Sequence, residues 1–480
     1  MLSLKKKWDG IPLVVKVSTA YVICSIIQNA LAFITLPLFT RMLTKEQYGQ
    51  FTIYASWNGI LMIFITLNLA YGSFSKAMVK YEDDREGYIS AVEGITLCLA
   101  LIFLAIYLPF RGLWNGLFEL PTPIMLMMVL EILSVNAMLL WNGKKRFEYK
   151  YKAVVLITLF IAFLAPILAF ILIAHTEEKG YARIIGYSAV NITVGVAFFL
   201  YNAIRGKKVF NKKYWKYALG FNIPLLAYYL SQVIFNQCDR IMISHMEGKG
   251  NAAVYGVAYT LAIVLNFVLN AINNSYIPWY YGKIKDGKMR DNRKASLIIA
   301  GIMAVLLLGV IWFAPEIILI MAGKKYLEAV YVVPPVAISL LLLFYAQLFI
   351  NVEFYYEEKK KLVFASVGAA VVNLVLNYFF IELYGFIAAA YTTLASYLIF
   401  TIANYVTMKN VLKEKGIKDE GFNYKGLTLL FIIFSLIAYL GVILYGYLIP
   451  RIIVCVIVLI VIFVKRQFLI DFYKGFKSGK

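Results

Sequence analysis

The chain has 480 residues, of which 62% are hydrophobic and only 15% charged, and its formal net charge is +21. A water-soluble domain is nearer half apolar and a quarter charged, so this composition excludes an ordinary soluble enzyme or binding module. The apolar residues fall in continuous runs about twenty residues long, the length of a membrane-spanning helix, and do not show the alternation of a barrel strand. Helices also satisfy the demand that backbone groups in a bilayer pair internally.

In chain order the runs are 13–40, 48–72, 88–110, 121–141, 152–174, 181–204, 217–243, 252–278, 295–314, 329–352, 362–383, 386–408, 426–447 and 449–470. They predict an all-α membrane protein of about fourteen transmembrane helices. The first run follows Lys5, Lys6 and Lys7. It is too long for a signal-peptide core and lacks a small-residue cleavage site, so it reads as an uncleaved span. The last two runs are divided by a turn around Leu448 and Pro450. The four cysteines, Cys24, Cys98, Cys238 and Cys455, fit neither a metal site nor a disulfide framework. No cofactor is expected.

Charge tests this division independently, because cytoplasmic loops carry excess Lys and Arg. With the N-terminus in the cytoplasm, 37 of the 47 basic residues fall in cytoplasmic segments and 10 in external loops. Every cytoplasmic segment exceeds both of its external neighbours. Both termini are therefore expected in the cytoplasm. The positive charge suits anionic lipid headgroups rather than nucleic acid. The longest connection, Lys409–Lys425, leaves no room for a soluble catalytic domain.

An internal repeat follows from two segments. LPLFTRMLTKEQYGQFTIY runs from Leu36 to Tyr54, and CDRIMISHMEGKGNAAVYGVAY from Cys238 to Tyr259. Each places an arginine (Arg41, Arg240) before a short polar loop and then Tyr-Gly (Tyr48-Gly49, Tyr255-Gly256) opening the next helix. Six spans separate the two, so the halves are parallel. Transporters built this way hold substrate between halves that rock. The expected organisation is an N-terminal six-helix lobe over 1–210, a C-terminal six-helix lobe over 211–410 with a cavity between the two, and a two-helix hairpin over 411–480.

The run Pro37–Arg41 with Tyr48-Gly49, and the run Asp239–Ile243 with Val254-Tyr255-Gly256, resemble the signatures of the polysaccharide-biosynthesis flippases. These are the Wzx-type branch of the multidrug/oligosaccharidyl-lipid/polysaccharide exporter superfamily. The resemblance implies a flippase in the bacterial cytoplasmic membrane that is not an enzyme. It would move an undecaprenyl-pyrophosphate-linked oligosaccharide from the cytoplasmic to the external leaflet by alternating access, driven by an ion gradient. It also implies glycosyltransferases and a polymerase of the same pathway as partners.

Polar residues inside the spans are weighed in chain order. Lys16 opens span 1, and Lys76 and Lys80 follow span 2. They can attract the pyrophosphate at the cytoplasmic mouth, or simply mark topology. Arg41 and Arg240 can hold the pyrophosphate through paired hydrogen bonds. Alternatively each caps its helix C-terminus, where the dipole favours a cation. Glu131, mid-span in span 4, is a candidate proton or sodium site, since an intramembrane carboxylate is costly; equally, it is protonated or paired with a basic residue of another span. Glu93, a turn or two inside span 3, is either a functional carboxylate of the same kind or, as expected, one that reaches the cytoplasmic interface. Pro224 is the expected hinge of span 7, which also carries Gln232, Asn236 and the gate candidate Asp239. Asn266, Asn270, Asn273 and Asn274 share one face of span 8. They line a sugar-binding cavity or join neighbouring helices. Asn373 and Asn377 are expected to serve packing.

Three other functions fit less well. A multidrug exporter of the same superfamily would have twelve spans and more intramembrane acids. A polymerase would carry a large external loop, and an acyltransferase a histidine within the membrane, whereas His175 and His245 fall in loops. A channel would show a pore loop.

Overall fold

The computed structural model describes residues 13–417, 419–454 and 456, and among these the regular structure is helical throughout. Ten of the helices are long and apolar enough to cross a membrane. The protein is an all-α, multi-pass membrane protein. The last expected span, 449–470, lies largely outside the described residues. The chain divides into two compact units, Met1–Ala253 and Val254–Lys480.

The first unit contains α1 (Leu13–Met42), α2 (Lys45–Thr66), α3 (Ser73–Lys80), α4 (Arg85–Tyr107), α5 (Arg111–Phe118) and α6 (Thr122–Phe147). It continues with α7 (Tyr151–Ala174), α8 (Lys179–Gly206), α9 (Lys212–Asn222), α10 (Leu226–Glu247) and the start of α11 (Lys249–Lys285). Helix α2 opens with a capping box. The Gln47 amide N–H donates to Thr44 Oγ1 at 3.2 Å, and the Thr44 N–H donates to Gln47 Oε1 at 3.1 Å. The expected span 7 is divided into α9 and α10 by a 3₁₀ turn, Ile223–Leu225. Pro224 stands in that turn, where its missing N–H and its ring break an α-helical ladder.

Helix α8 is the spine of this unit and packs against α2, α4, α6 and α7. Two glycines permit this. A Cβ at Gly186 would strike the Ala169 backbone of α7, and one at Gly195 would strike Ser134 of α6. Small residues at helix crossings let backbones approach, which drives association where hydrophobic force is absent. Met125, Met128, Ile132 and Ile184 fill the resulting core. A second cluster gathers Phe74, Met78, Tyr88 and Leu140. Outer faces stay apolar and open: Leu156, Phe160, Ile167 and Phe170 of α7 are exposed, as suits contact with lipid.

The second unit contains the rest of α11, then α12 (Asn292–Trp312), α13 (Ala314–Met321), α14 (Val333–Tyr355), α15 (Lys359–Tyr384), α16 (Ala388–Glu414) and α17 (Tyr424–Ile443). Helix α14 is buried along most of its length and packs on α12 and α16. The segment after α17 is tied back by Arg451, which is 1% exposed. Its guanidinium donates to both Glu316 carboxylate oxygens, at 2.8 and 2.6 Å, and to the Trp312 carbonyl at 2.6 Å.

Two outcomes test this arrangement. Gly195→Val should force α6 and α8 apart and destabilise the protein by about 1–3 kcal/mol, read as a lower melting temperature in detergent. The Arg451 hydrogen bond holds the Glu316 carboxyl below its ordinary value. Because the folded pKa is depressed, this tie contributes fully above the unfolded carboxylate pKa and is lost as pH falls through the folded one. Protease cleavage after α17 should therefore accelerate in acid in the wild type, and should be fast at every pH in Glu316→Gln.

Candidate functional site

Glu131 on α6 is 7% exposed. Three neutral donors from two other helices converge on its carboxylate. Tyr54 of α2 donates its hydroxyl, Ser188 Oγ of α8 donates at 2.7 Å and Asn191 Nδ2 of α8 at 2.7 Å. Tyr54 and Ser188 also lie 3.0 Å apart. Ser188 and Asn191 reach one carboxylate together because residues three apart share a helix face. Among the described residues no lysine or arginine forms an ion pair with Glu131. The carboxylate is thus solvated by dipoles alone, an arrangement that can hold a charge, take up a proton or face a small cation. The sequence marks Glu131 itself. Its partners are single hydroxyls and an amide in apolar runs, and only the Ser188/Asn191 spacing hints at them.

Glu93 departs from expectation. It does not reach an interface: it is 1% exposed and accepts a hydrogen bond from Asn202 Nδ2 of α8 at 2.7 Å. Gly94 beside it admits the Val209 backbone, which covers this end of α4.

A second group of contacts ties the corner between α10 and α11 to α2 and α5. Ser244 Oγ donates to the Glu119 carboxylate, and Lys249 Nζ donates to the Glu119 carbonyl at 3.1 Å. The His245 ring meets the Leu117 carbonyl at 2.9 Å. Gly49 lies directly on the Lys249 backbone, where a Cβ has no room. This is the physical content of the Tyr48-Gly49 signature. Arg240 does not cap α10. The helix continues for two more turns, to Glu247, and Arg240 Nη1 donates to Gln237 Oε1 at 2.7 Å while Gln237 rests against Gly59. Arg41, by contrast, stands exposed in the last turn of α1. Asp239 is 2% exposed, and Asn236 Nδ2 donates to the Gln232 carbonyl at 2.6 Å.

Lys76 and Lys80 project from α3 into aromatic rims. Lys76 lies 5.4 Å from the Phe221 ring centroid, and Lys80 lies 4.5 Å from Tyr217 and 5.5 Å from Tyr81. Both ammonium groups remain exposed. Lys16 is half-buried in the first turns of α1. Gly72 has φ +43°, and it leads α3 in beneath the Asn222 side chain, which donates to Ser73 Oγ at 3.2 Å. Nothing in the sequence marks Arg183. It is 6% exposed on α8, with its guanidinium 3.8, 4.4 and 4.5 Å from the ring centroids of Phe51, Phe39 and Tyr48. The rings offset its desolvation.

In the second unit Asn273 donates to Gln347 of α14, joining two helices. The side chains of Asn266, Asn270 and Asn274 lie outside the described residues. Asn373 and Asn377 are fully buried between α15 and α16, where Asn373 donates to Thr393 at 3.2 Å and Thr392 donates to Asn377.

Two substitutions probe these groups. Tyr54→Phe removes a donor from a buried carboxylate and should cost about 1–3 kcal/mol, read in thermal unfolding. Glu119→Ala should loosen the α10–α11 corner. A cysteine placed at Gly248 in a cysteine-free background should then react faster with a polar maleimide, and an unchanged rate would remove Glu119 from the tie.

Several known proteins are similar to this chain. The Lsg locus putative protein 1 of Haemophilus influenzae is 23% identical over 368 residues, covering 75% of this chain and 89% of that protein. An uncharacterized membrane protein of the same organism is 23% identical over 376 residues, covering 75% and 88%. The fold is that of lipid II flippase MurJ in its inward closed conformation, with a TM-score of 0.66 at 14% identity over 87% of this chain and 97% of that one. It is also that of an inward-facing multidrug resistance MATE transporter of the MOP superfamily, with a TM-score of 0.59 at 13% identity over 80% and 96%. A family profile described as polysaccharide biosynthesis protein matches residues 14–281. That match takes in the Glu131 cluster, both signature segments and more than half of the sequence, and the chain belongs to the polysaccharide biosynthesis protein family.

Proposed function

We propose that the protein is a flippase that carries an undecaprenyl-pyrophosphate-linked oligosaccharide from the cytoplasmic to the external leaflet of the bacterial cytoplasmic membrane. The observation that carries this reading is the family match across residues 14–281. The fold shared with a lipid II flippase supports it, since that protein too is named for a lipid-linked substrate. The physical task is to pass a charged, hydrated head through a layer in which an isolated charge costs several kcal/mol.

In this reading fourteen spans form two parallel six-helix lobes and a final pair, with both ends of the chain in the cytoplasm. Lys76 and Lys80, exposed and backed by rings, gather the pyrophosphate at the cytoplasmic mouth. Lys16, Arg41 and Arg240 supply further positive charge on its way. Gln232, Asn236 and the asparagines of α11 offer amides to the sugars, and Glu131 couples the cycle to an ion gradient. Asp239, buried beside Arg240, belongs to the gate. The repeat assigns α9 and α10 to the second half, and α10 is nonetheless docked on α2 and tied to Glu119. Opening that end requires the tie to break. A multidrug exporter would use the same fold, and the assay below separates the two by substrate.

Vesicles containing the purified protein and a fluorescent lipid-linked oligosaccharide should expose that lipid on the far leaflet. Arg240→Ala should insert normally and lose this activity, and full activity in that variant would remove Arg240 from the pathway. Deleting the gene should stop surface polysaccharide and leave lipid-linked units on the cytoplasmic side. Normal export in the absence of a second flippase would overturn the reading.

A further inference from the structure

Glu93 is wired unlike Glu131. Its Oε1 accepts one hydrogen bond, from Asn202, and its Oε2 has no partner although the residue is 1% exposed. Asn202 Nδ2 also reaches the Ala137 carbonyl of α6 at 3.3 Å, so α4, α6 and α8 meet at this carboxyl. One turn earlier on α4, Ser90 is fully buried with its hydroxyl unpartnered, and Gly206 of α8 closes over it so tightly that a Cβ would strike it. An ionised carboxylate here would direct charge at an oxygen that meets no donor, which burial strongly disfavours. A neutral carboxyl avoids that cost. It also carries a donor of its own, within the reach that neighbours three residues apart on a helix possess.

Among the described residues no nearby charge offers an alternative. On α4, Glu86 is bound to Lys144 of α6 at 2.5 Å. At the start of the same helix, Asp84 accepts from Lys208 and from Tyr214 of α9. Arg205 of α8 lies over the Tyr201 ring at 5.8 Å, and the Tyr88 hydroxyl meets Ser73 Oγ at 3.3 Å. Each of these groups is engaged elsewhere. Glu93 also shares a seam with Glu131. On α6, Ala137 lies six residues beyond Glu131, a rise of about 9 Å. Between them Ser134, against Gly195 of α8, has a buried and unpartnered hydroxyl.

We propose that Glu93 is a second proton-binding carboxyl of the first unit, neutral at rest, which exchanges its proton with Glu131 along the α6–α8 seam. The proton is then the coupling ion. In the exchange Glu93 gives up its carboxyl proton as the Glu131 carboxylate takes one up, so the charge of the unit is unchanged. The exchange rests on the reading of Glu131 as the coupling group, whereas the proton on Glu93 rests on its own geometry.

Infrared difference spectra of the full-length protein in lipid nanodiscs test the site without any transport substrate. At neutral pH the wild type should show the carbonyl band of a protonated carboxyl, and Glu93→Gln should lose it. A band unchanged in Glu93→Gln overturns the proposal, as does a band that sodium ions abolish at constant pH. Should that variant fail to accumulate, Asn202→Leu removes the single hydrogen bond and must move the band, and an unmoved band is equally fatal. In vesicles, an imposed pH gradient should accelerate lipid flipping by the wild type and not by Glu93→Gln, and equal acceleration overturns the exchange. A wild type that shows the band yet flips no lipid-linked oligosaccharide overturns the flippase reading and leaves the Glu93 proton in place.

Discussion

A carboxylate set among apolar helices costs several kcal/mol unless donors surround it, and the first unit is built around meeting that cost at Glu131. The donors come from α2 and α8, so both helices must lie against α6. Close approach of α8 to α6 in turn demands glycine at their crossing, which Gly195 supplies, while Gly186 admits α7 on the other side of α8. The polar cluster and the small residues are therefore one device. The cluster needs helices at short range, and the small residues permit that range in a solvent where apolar surface gains nothing by being buried.

The same economy shapes the edges of the unit. Among the described residues Arg183 forms no ion pair, and three aromatic rings enclose it instead. Lys76 and Lys80 lie against rings with their charges outward. These three cations are thus held by π-faces, and the buried carboxyl groups of Glu131 and Glu93 by hydroxyls and amides. Ion pairs such as Lys144 with Glu86 belong to the helix ends.

Much of this is legible in the sequence, for a physical reason. Bilayer thickness fixes helix length, so apolar runs announce the helices directly. Pro224 stands at the break between α9 and α10, whereas Pro37 and Pro166 stand inside helices that continue past them, so a proline narrows the choice of break without fixing it. Glu131 announces itself because a charge in such a run is rare. What stays hidden is pairing at long range. Tyr54, Ser188 and Asn191 are ordinary residues until α2 and α8 are laid against α6. Glu93 lies eight residues inside α4, near enough to the helix start to look like an interfacial residue, and it is the packing of α6 and α8 around it that buries it. Arg240 looks like a helix cap because nothing in its neighbourhood says that α10 runs on to Glu247.

The Glu131 cluster also bears on how the protein is made. Tyr54 precedes Glu131 by 77 residues, but Ser188 follows it by 57 and Asn191 by 60. Synthesis runs from the N-terminus, and early elements must wait for later ones. When α6 first enters the bilayer, Tyr54 is the one donor of the three already synthesised. Until α8 emerges, the Glu131 carboxyl lacks two of its three donors. The ribosome's progress through α7 is thus the interval during which the newborn chain is least able to carry charge.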